Sequence, residues 1–222
     1  MSALPEGWGI APLTDVAQVV RGVTYKKEAA RLTPAAGFLP LLRATNIRDQ
    51  LDLDGELVYV PAAGVKDVQR LRRGDVLLVA SSGSASVVGK SASLTSDWSG
   101  TFGAFCSVLR PGPAVHPRYL AMFVQSAEVR RRWSDAARGT NINNLKASAL
   151  SETLVPLPPL GEQRRIAHAL DGHLSRLDAA AGALDRAQLA QQALRVALLR
   201  TAFAGGLPLE RVDREPEVED YV

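Results

Sequence analysis

Val155 to Asp178 reads VPLPPLGEQRRIAHALDGHLSRLD, and its change of character divides the chain. Pro156, Pro158 and Pro159 cannot sit inside a helix and force an extended approach. From Glu162 to Ala204 there is no proline, and Ala, Leu, Gln and Arg dominate. Only Gly172 and Gly182 weaken this stretch, each by roughly 1 kcal/mol relative to alanine. A helix of this length extends about 65 Å at 1.5 Å per residue. Leu170, Leu174, Leu177, Ala181 and Leu184 alternate spacings of four and three, the seam of a coiled coil. The same register runs on through Gln188, Gln191 and Arg195 to Leu198, so the second half of the seam is polar or shifts onto Leu194 and Leu198. The preceding residues hold no helix long enough to cover the stripe, which implies a partner helix in another chain. Gly205, Gly206 and Pro208 form a stop signal.

The preceding residues have a different rhythm. FLPLLRATNI, ELVYV, GDVLLVAS and TFGAFCSVLRP read as strands bounded by Gly, Pro, Asp or Ser. HPRYLAMFVQSAEVRRRW reads as a helix with Pro117 in its first turn and Tyr119, Leu120, Phe123 and Val124 on one face. Arg130, Arg131 and Arg132 suit its C-terminal end and a solvated surface. The expected class is α+β. A globular mixed α/β domain spans residues 1–158, a long coiled-coil helix 159–205, and an acidic, disordered tail 206–222.

Charge follows the same division. The chain carries a net +3, but residues 1–158 hold +5, 159–205 hold +2 and 206–222 hold −4. A basic domain fits contact with nucleic acid without demanding it. Cys106 is the single cysteine, which rules out an intrachain disulfide framework; its apolar setting reads as a buried thiol. MSALPEGWGI lacks the basic-then-apolar pattern of a secretory signal. No apolar run reaches the roughly 18 residues that cross a bilayer, so the expected compartment is the cytoplasm, with no membrane partner.

SSGSASVVGKSASL, Ser81 to Leu94, poses the question of nucleotide binding. A phosphate-binding loop needs a glycine five positions before its Gly-Lys-Ser, and that position is Ser84. It also needs a helix after the lysine, whereas SASLTSDWSG has serines, a β-branched residue and a turn. The histidines His116, His168 and His173 are scattered, and no Gly-x-Ser-x-Gly elbow or dinucleotide-binding glycine pattern occurs. No metal site, cofactor or catalytic residue is expected. The loop still offers hydroxyls, exposed backbone N–H groups and Lys90, a set that suits either an ordinary polar hairpin or a phosphodiester backbone.

VPLPPLGEQRRIAHALDGHLSRLD, with ALLRTAFAGGL at the helix end, resembles the conserved segment of specificity subunits of Type I restriction–modification systems. An aliphatic residue, Pro156–Pro159, Glu162–Gln163, the basic pair Arg164–Arg165 and the closing Ala202–Gly205 carry the likeness. LPEGW, LLRATNI, LRRGDVLLVASSG, VVGKSA and RGTNINNL resemble that family's target-recognition domain more loosely. The resemblance implies a DNA-binding subunit without chemistry of its own. It holds methyltransferase subunits and, for cleavage, restriction subunits. Each recognition domain reads one half of a split site in double-stranded DNA, and antiparallel long helices set the distance between halves.

Full-length members carry two recognition domains and two such helices in tandem, whereas this chain shows one of each. The expectation is therefore a half-length form that homodimerises through Leu170, Leu174, Leu177, Ala181, Leu184 and Leu198. The alternatives are half of a heterodimeric specificity module, or the detached recognition subunit of another restriction, methylation or phage-defence enzyme.

Side chains that read base edges are mainly Arg, Lys, Asn, Gln and small hydroxyls. The candidate DNA contacts are Lys26, Lys27, Arg43, Thr45, Asn46, Ser82, Gly83, Ser84, Lys90, Thr140, Asn141, Asn143, Asn144 and Lys146. Arg164 and Arg165 suit DNA, a methyltransferase subunit or solvent alone, with the subunit interface preferred.

Overall fold

The structure, a computed structural model, describes residues 4–137 and 142–205. The acidic tail therefore lies outside the described residues. The strands are β1 (Gly9–Pro12), β2 (Ala17–Arg21), β3 (Phe38–Leu42), β4 (Val58–Pro61), β5 (Val76–Val79) and β6 (Ser81–Ser82). They continue with β7 (Ser91–Ser93), β8 (Thr101–Phe102), β9 (Cys106–Pro111), β10 (Asn143–Asn144) and β11 (Leu154–Leu157). The helices are α1 (Leu13–Val16), α2 (Pro117–Gln125), α3 (Ala127–Ala136), α4 (Ala147–Ser151) and α5 (Leu160–Phe203). The α+β class and the long terminal helix are as the sequence reading expects.

An antiparallel sheet in the order β2-β9-β5-β7 forms the centre. Its strand β5 reads VLLV and is buried on both faces. Val76 and Leu78 pack with Leu13, Leu120, Val124 and Trp133 of the helical layer. Leu77 and Val79 face Leu42, Ile47, Phe102 and Val108 on the other side. A strand with period-two side chains must be apolar throughout when both faces are covered. A second sheet, β4-β3-β8, builds its own cluster from Val23, Leu41, Val58, Val60 and Val65.

One ion pair ties this core together. Arg110 of β9 donates to Asp75 through Nε at 2.9 Å and Nη2 at 2.8 Å. Its guanidinium also bonds the carbonyls of Val68 and Arg70, and Asp75 accepts from Arg72 N–H. Asp75 is 1% exposed, and such a buried charge is tolerable only when its hydrogen bonds are filled this completely.

One expectation needs correction. The arginine run is not at the C-terminus of one helix. Ser126 ends α2 and caps α3, accepting from Val129 N–H, which places Arg130–Arg132 in the middle of α3. The proline segment before α5 is extended, as its prolines require, and its strand β11 pairs antiparallel with β1 from Gly9↔Leu157 to Pro12↔Leu154. The compact globular unit runs to Ala169, past the proline boundary at residue 158.

Gln163 explains that extension. It is 1% exposed, its Oε1 accepts from His116 N–H at 2.7 Å, and its Nε2 donates to Ala114 and Pro158 carbonyls. Ala167, one turn on, is also buried. Arg165 instead pairs with Glu162 on the surface at 2.6 Å, and this bond holds the Glu162 carboxyl below its usual range. The second unit begins at Leu170. Within it α5 passes Gly172 and Gly182 unbroken, and Gly205 follows with φ +72, the left-handed stop the sequence signals.

Candidate nucleic-acid interface

Lys90 does not open a helix. It leads into β7, while Gly89, at φ +80, packs beneath Trp133 so closely that a Cβ would lie 3.2 Å from the indole's own Cβ. That glycine serves a turn and a close approach. The segment between β5 and β7 closes on Val79, whose N–H donates to Lys90 carbonyl and whose carbonyl accepts from Gly89 N–H.

The same segment forms a ribbon with a stretch some sixty residues away. β6 pairs antiparallel with β10, setting Asn143 opposite Ser82 and Asn144 opposite Ser81. Asn143 Nδ2 donates to the carbonyls of Ser82 and Gly83, and Ser81 Oγ donates to Asn144 Oδ1 at 2.8 Å. Ser84 N–H bonds Ser82 Oγ, and Ser84 and Ser86 share a 2.9 Å hydroxyl pair. Two polar segments singled out separately in the sequence are therefore one surface.

The strand registers bring other candidates to this end of the sheets. Val79 pairs with Cys106, Arg21 with Ser107, and Leu42 with Phe102, while Val23 bridges Gly103. Lys26 and Lys27 follow β2 and Thr45 follows β3, all exposed. Gly83, Ser84, Asn144 and Lys146 are exposed, and Ser82 and Lys90 are half-buried.

Other candidates serve the fold. Asn46 is 3% exposed: its Oδ1 accepts from Arg43 N–H, and its Nδ2 reaches the carbonyls of Asp52 and Glu56. Arg43 is half-buried and donates to Glu56 carbonyl. Asn143 is buried and aligns the ribbon. The reading of Asn46 and Asn143 as base contacts is corrected, because both amides are engaged internally. Thr140 and Asn141 lie outside the described residues.

Missing from the sequence list are Arg130 and Arg131. They line a depression of about 260 Å³ with Ser86, Val88, Ala127 and Ser134, and Ser134 Oγ donates to Ala85 carbonyl. Helix α3 thus sets two cations beside the serine loop. A second depression, about 580 Å³, lies around Arg70, Arg72, Arg73 and Trp98 towards the other end of β5. Among the described residues no cluster of His, Cys, Asp and Glu suits a metal, and no helix is long and apolar enough to cross a membrane.

On α5, Leu170, Leu174, Leu177, Ala181, Leu184 and Leu198 are all exposed. So are Leu189, Val196, Leu199 and Phe203, which repeat at seven, three and four residues. That second stripe runs one residue out of step with the first, a different shift from the move onto Leu194 and Leu198 that the sequence reading allowed. The sevenfold spacing of Leu189, Val196 and Phe203 was its signal.

The chain is thus a mixed sheet domain with a basic serine–asparagine face, followed by a long helix with exposed aliphatic side chains. Residues 5–185 match the Type I restriction modification DNA specificity domain, and the chain belongs to that family. It is 40% identical over 204 residues to the StySPI specificity subunit of Salmonella potsdam, covering 92% of this chain and 44% of that protein. It is 39% identical over 214 residues to the EcoKI specificity subunit of Escherichia coli K12, covering 96% and 46%. The chain thus spans less than half the length of these curated relatives.

Solved structures share the fold. A chain of a type I R-M system superposes with a TM-score of 0.74 at 23% identity, over 93% of this chain and 48% of that one. The HsdS subunit from Thermoanaerobacter tengcongensis gives 0.65 at 24%, over 93% and 47%.

Proposed function

We propose that this chain reads one half of a bipartite site in double-stranded DNA for a Type I restriction–modification complex. The observation that carries the reading is the β6–β10 ribbon, which joins the hydroxyls of the serine loop to Asn144 and Lys146. Lys90, Lys26, Lys27, Arg130 and Arg131 supply positive charge for phosphates, while Thr45, Ser82, Ser84 and Asn144 are placed for base edges and sugar-phosphate oxygens. Thr140 and Asn141, outside the described residues, are proposed as contacts on their sequence alone. The chain performs no chemistry and uses no cofactor. It works in the cytoplasm, holding methyltransferase and restriction subunits.

Assembly follows from α5. The exposed stripe from Leu170 to Leu198 pairs antiparallel with the same stripe of a second copy, an isologous interface. Two identical readers related by a dyad recognise an inverted repeat with a fixed spacer.

The test is to map methylated adenines in the host genome, then titrate a duplex bearing that site in the presence of the methyltransferase subunit at several salt concentrations. Affinity falls steeply with salt, each phosphate contact adding about −0.9 to the log–log slope. Lys90→Ala weakens all duplexes alike and flattens the slope by about one contact. A flat salt response in the unaltered protein refutes the basic face. A monomer in light scattering together with an asymmetric site refutes the homodimer and leaves a heterodimeric module.

A further inference from the structure

Phe105 is an aromatic side chain set out in water, 64% exposed, in the turn between β8 and β9. Single exposed apolar residues are common and need no purpose. Phe105 differs in its mounting and its neighbours. Its carbonyl accepts from both Ala80 N–H and Ser81 N–H, at 2.9 and 3.0 Å. Cys106 N–H closes the turn on Gly103 carbonyl at 2.8 Å. Beneath it Gly22 crosses Gly103 so tightly that a Cβ on Gly22 would overlap the Gly103 carbonyl. The ring therefore stands on a fixed backbone at the edge of the ribbon.

Ser81 links that ring to a polar group. Its N–H holds Phe105, and its hydroxyl holds Asn144 Oδ1 at 2.8 Å. With Oδ1 taken, the exposed Asn144 presents Nδ2, which makes no hydrogen bond among the described residues. One serine thus bonds both the turn that carries the exposed ring and the amide that offers a free N–H donor.

In the major groove thymine alone presents an acceptor, O4, next to an apolar group, the C5 methyl. Cytosine offers a donor at the first position and no methyl at the second. Guanine offers acceptors only. Resting on the DNA-reading function above, we propose that Phe105 and Asn144 read one thymine of the half-site, with Phe105 on the methyl and Asn144 Nδ2 donating to O4. A ring used as a wedge between base pairs is a different mode, indifferent to the methyl.

The test uses the full chain with its methyltransferase subunit and duplexes of the mapped site. Each thymine of the half-site is replaced singly by deoxyuridine, which removes only the methyl. At one position the unaltered protein loses roughly fourfold in affinity, the equivalent of one buried methyl. In Phe105→Ala that difference vanishes, while discrimination at other positions and against a scrambled duplex remains. Asn144→Ala weakens binding to the thymine and deoxyuridine duplexes at that position together. Phe105→Leu, which keeps an apolar group, restores part of the methyl preference and controls for folding. Insensitivity to deoxyuridine at every position overturns the proposal, as does a half-site without thymine on either strand. So does a Phe105→Ala loss that is equal on all duplexes, the signature of a wedge. If no duplex is preferred over the scrambled one, the DNA-reading function itself fails, and that outcome is separate.

Discussion

Strand β5 and the part of α5 beyond Ala169 are both rich in aliphatic side chains, yet these have opposite fates. Val76, Leu77, Leu78 and Val79 are wholly inaccessible, shared between two clusters. Past Ala169, Leu170, Leu174, Leu177, Leu184, Leu189, Leu194 and Leu199 are each at least 43% exposed. The first region completes its burial within the chain. The second leaves its aliphatic side chains exposed among the described residues, and in the proposed assembly a second helix covers them. A helix held by its own propensity gains little from each residue, and tertiary packing supplies most helical stability in proteins.

The comparison breaks hardest at the buried ion pair. Arg110→Ala leaves Asp75 charged and unpaired in the core and destabilises the globular unit by about 3–5 kcal/mol, read by chemical unfolding. The matched change on the other side, Leu177→Glu, leaves the globular unit's unfolding within about 0.5 kcal/mol of the unaltered protein, as exposed substitutions do. Its effect appears in sedimentation or light scattering, where the proposed dimer dissociates at concentrations that keep the parent paired. If Leu177→Glu destabilises the globular unit, the two regions are not separable.

Gln163 lies between the extremes. Gln163→Ala removes the partner of His116 N–H and of two carbonyls, costing about 1–3 kcal/mol by the same measurement. Amide exchange should rise first around Ala114–His116. The smallest effect concerns Cys106. Burial pushes its thiol up to about 12, so thiolate is scarce near neutral pH. A thiol reagent at pH 8 labels it at the rate of unfolding and no faster. The stability this burial brings is present below the ordinary thiol range and falls as pH rises through 9 toward 12.

What the sequence disclosed depended on the range of the interactions involved. Composition and heptad spacing are local, and they revealed α5 with its stop at Gly205. The apolar run of β5 and the missing helix after Lys90 were legible for the same reason. The short strands β1, β2 and β11 were not recognised, because a four- or five-residue strand is defined by its distant partner. Candidate residues sorted on the same principle. Asn46 and Asn144 look alike as polar loop residues, but one is folded onto Glu56 and Asp52 and the other stands out on a ribbon. Arg130 and Arg131 joined the basic face only when α3 packed against the serine loop. No local pattern encodes that neighbour.

The ribbon of β1 and β11 has one more consequence. Pro12 and Leu154 stand opposite each other as strand neighbours, roughly 5 Å apart. Everything between them leaves and returns through the same doorway. A segment closed in this way is a cassette. Replaced by another sequence of the same closure, it alters the surface of the globular unit and leaves the stripe of α5 beyond Ala169 as it is, provided the new segment returns to Gln163 the N–H and carbonyl it finds at His116 and Ala114. Under the proposed function, recombination at these two points gives a new reader on an old scaffold.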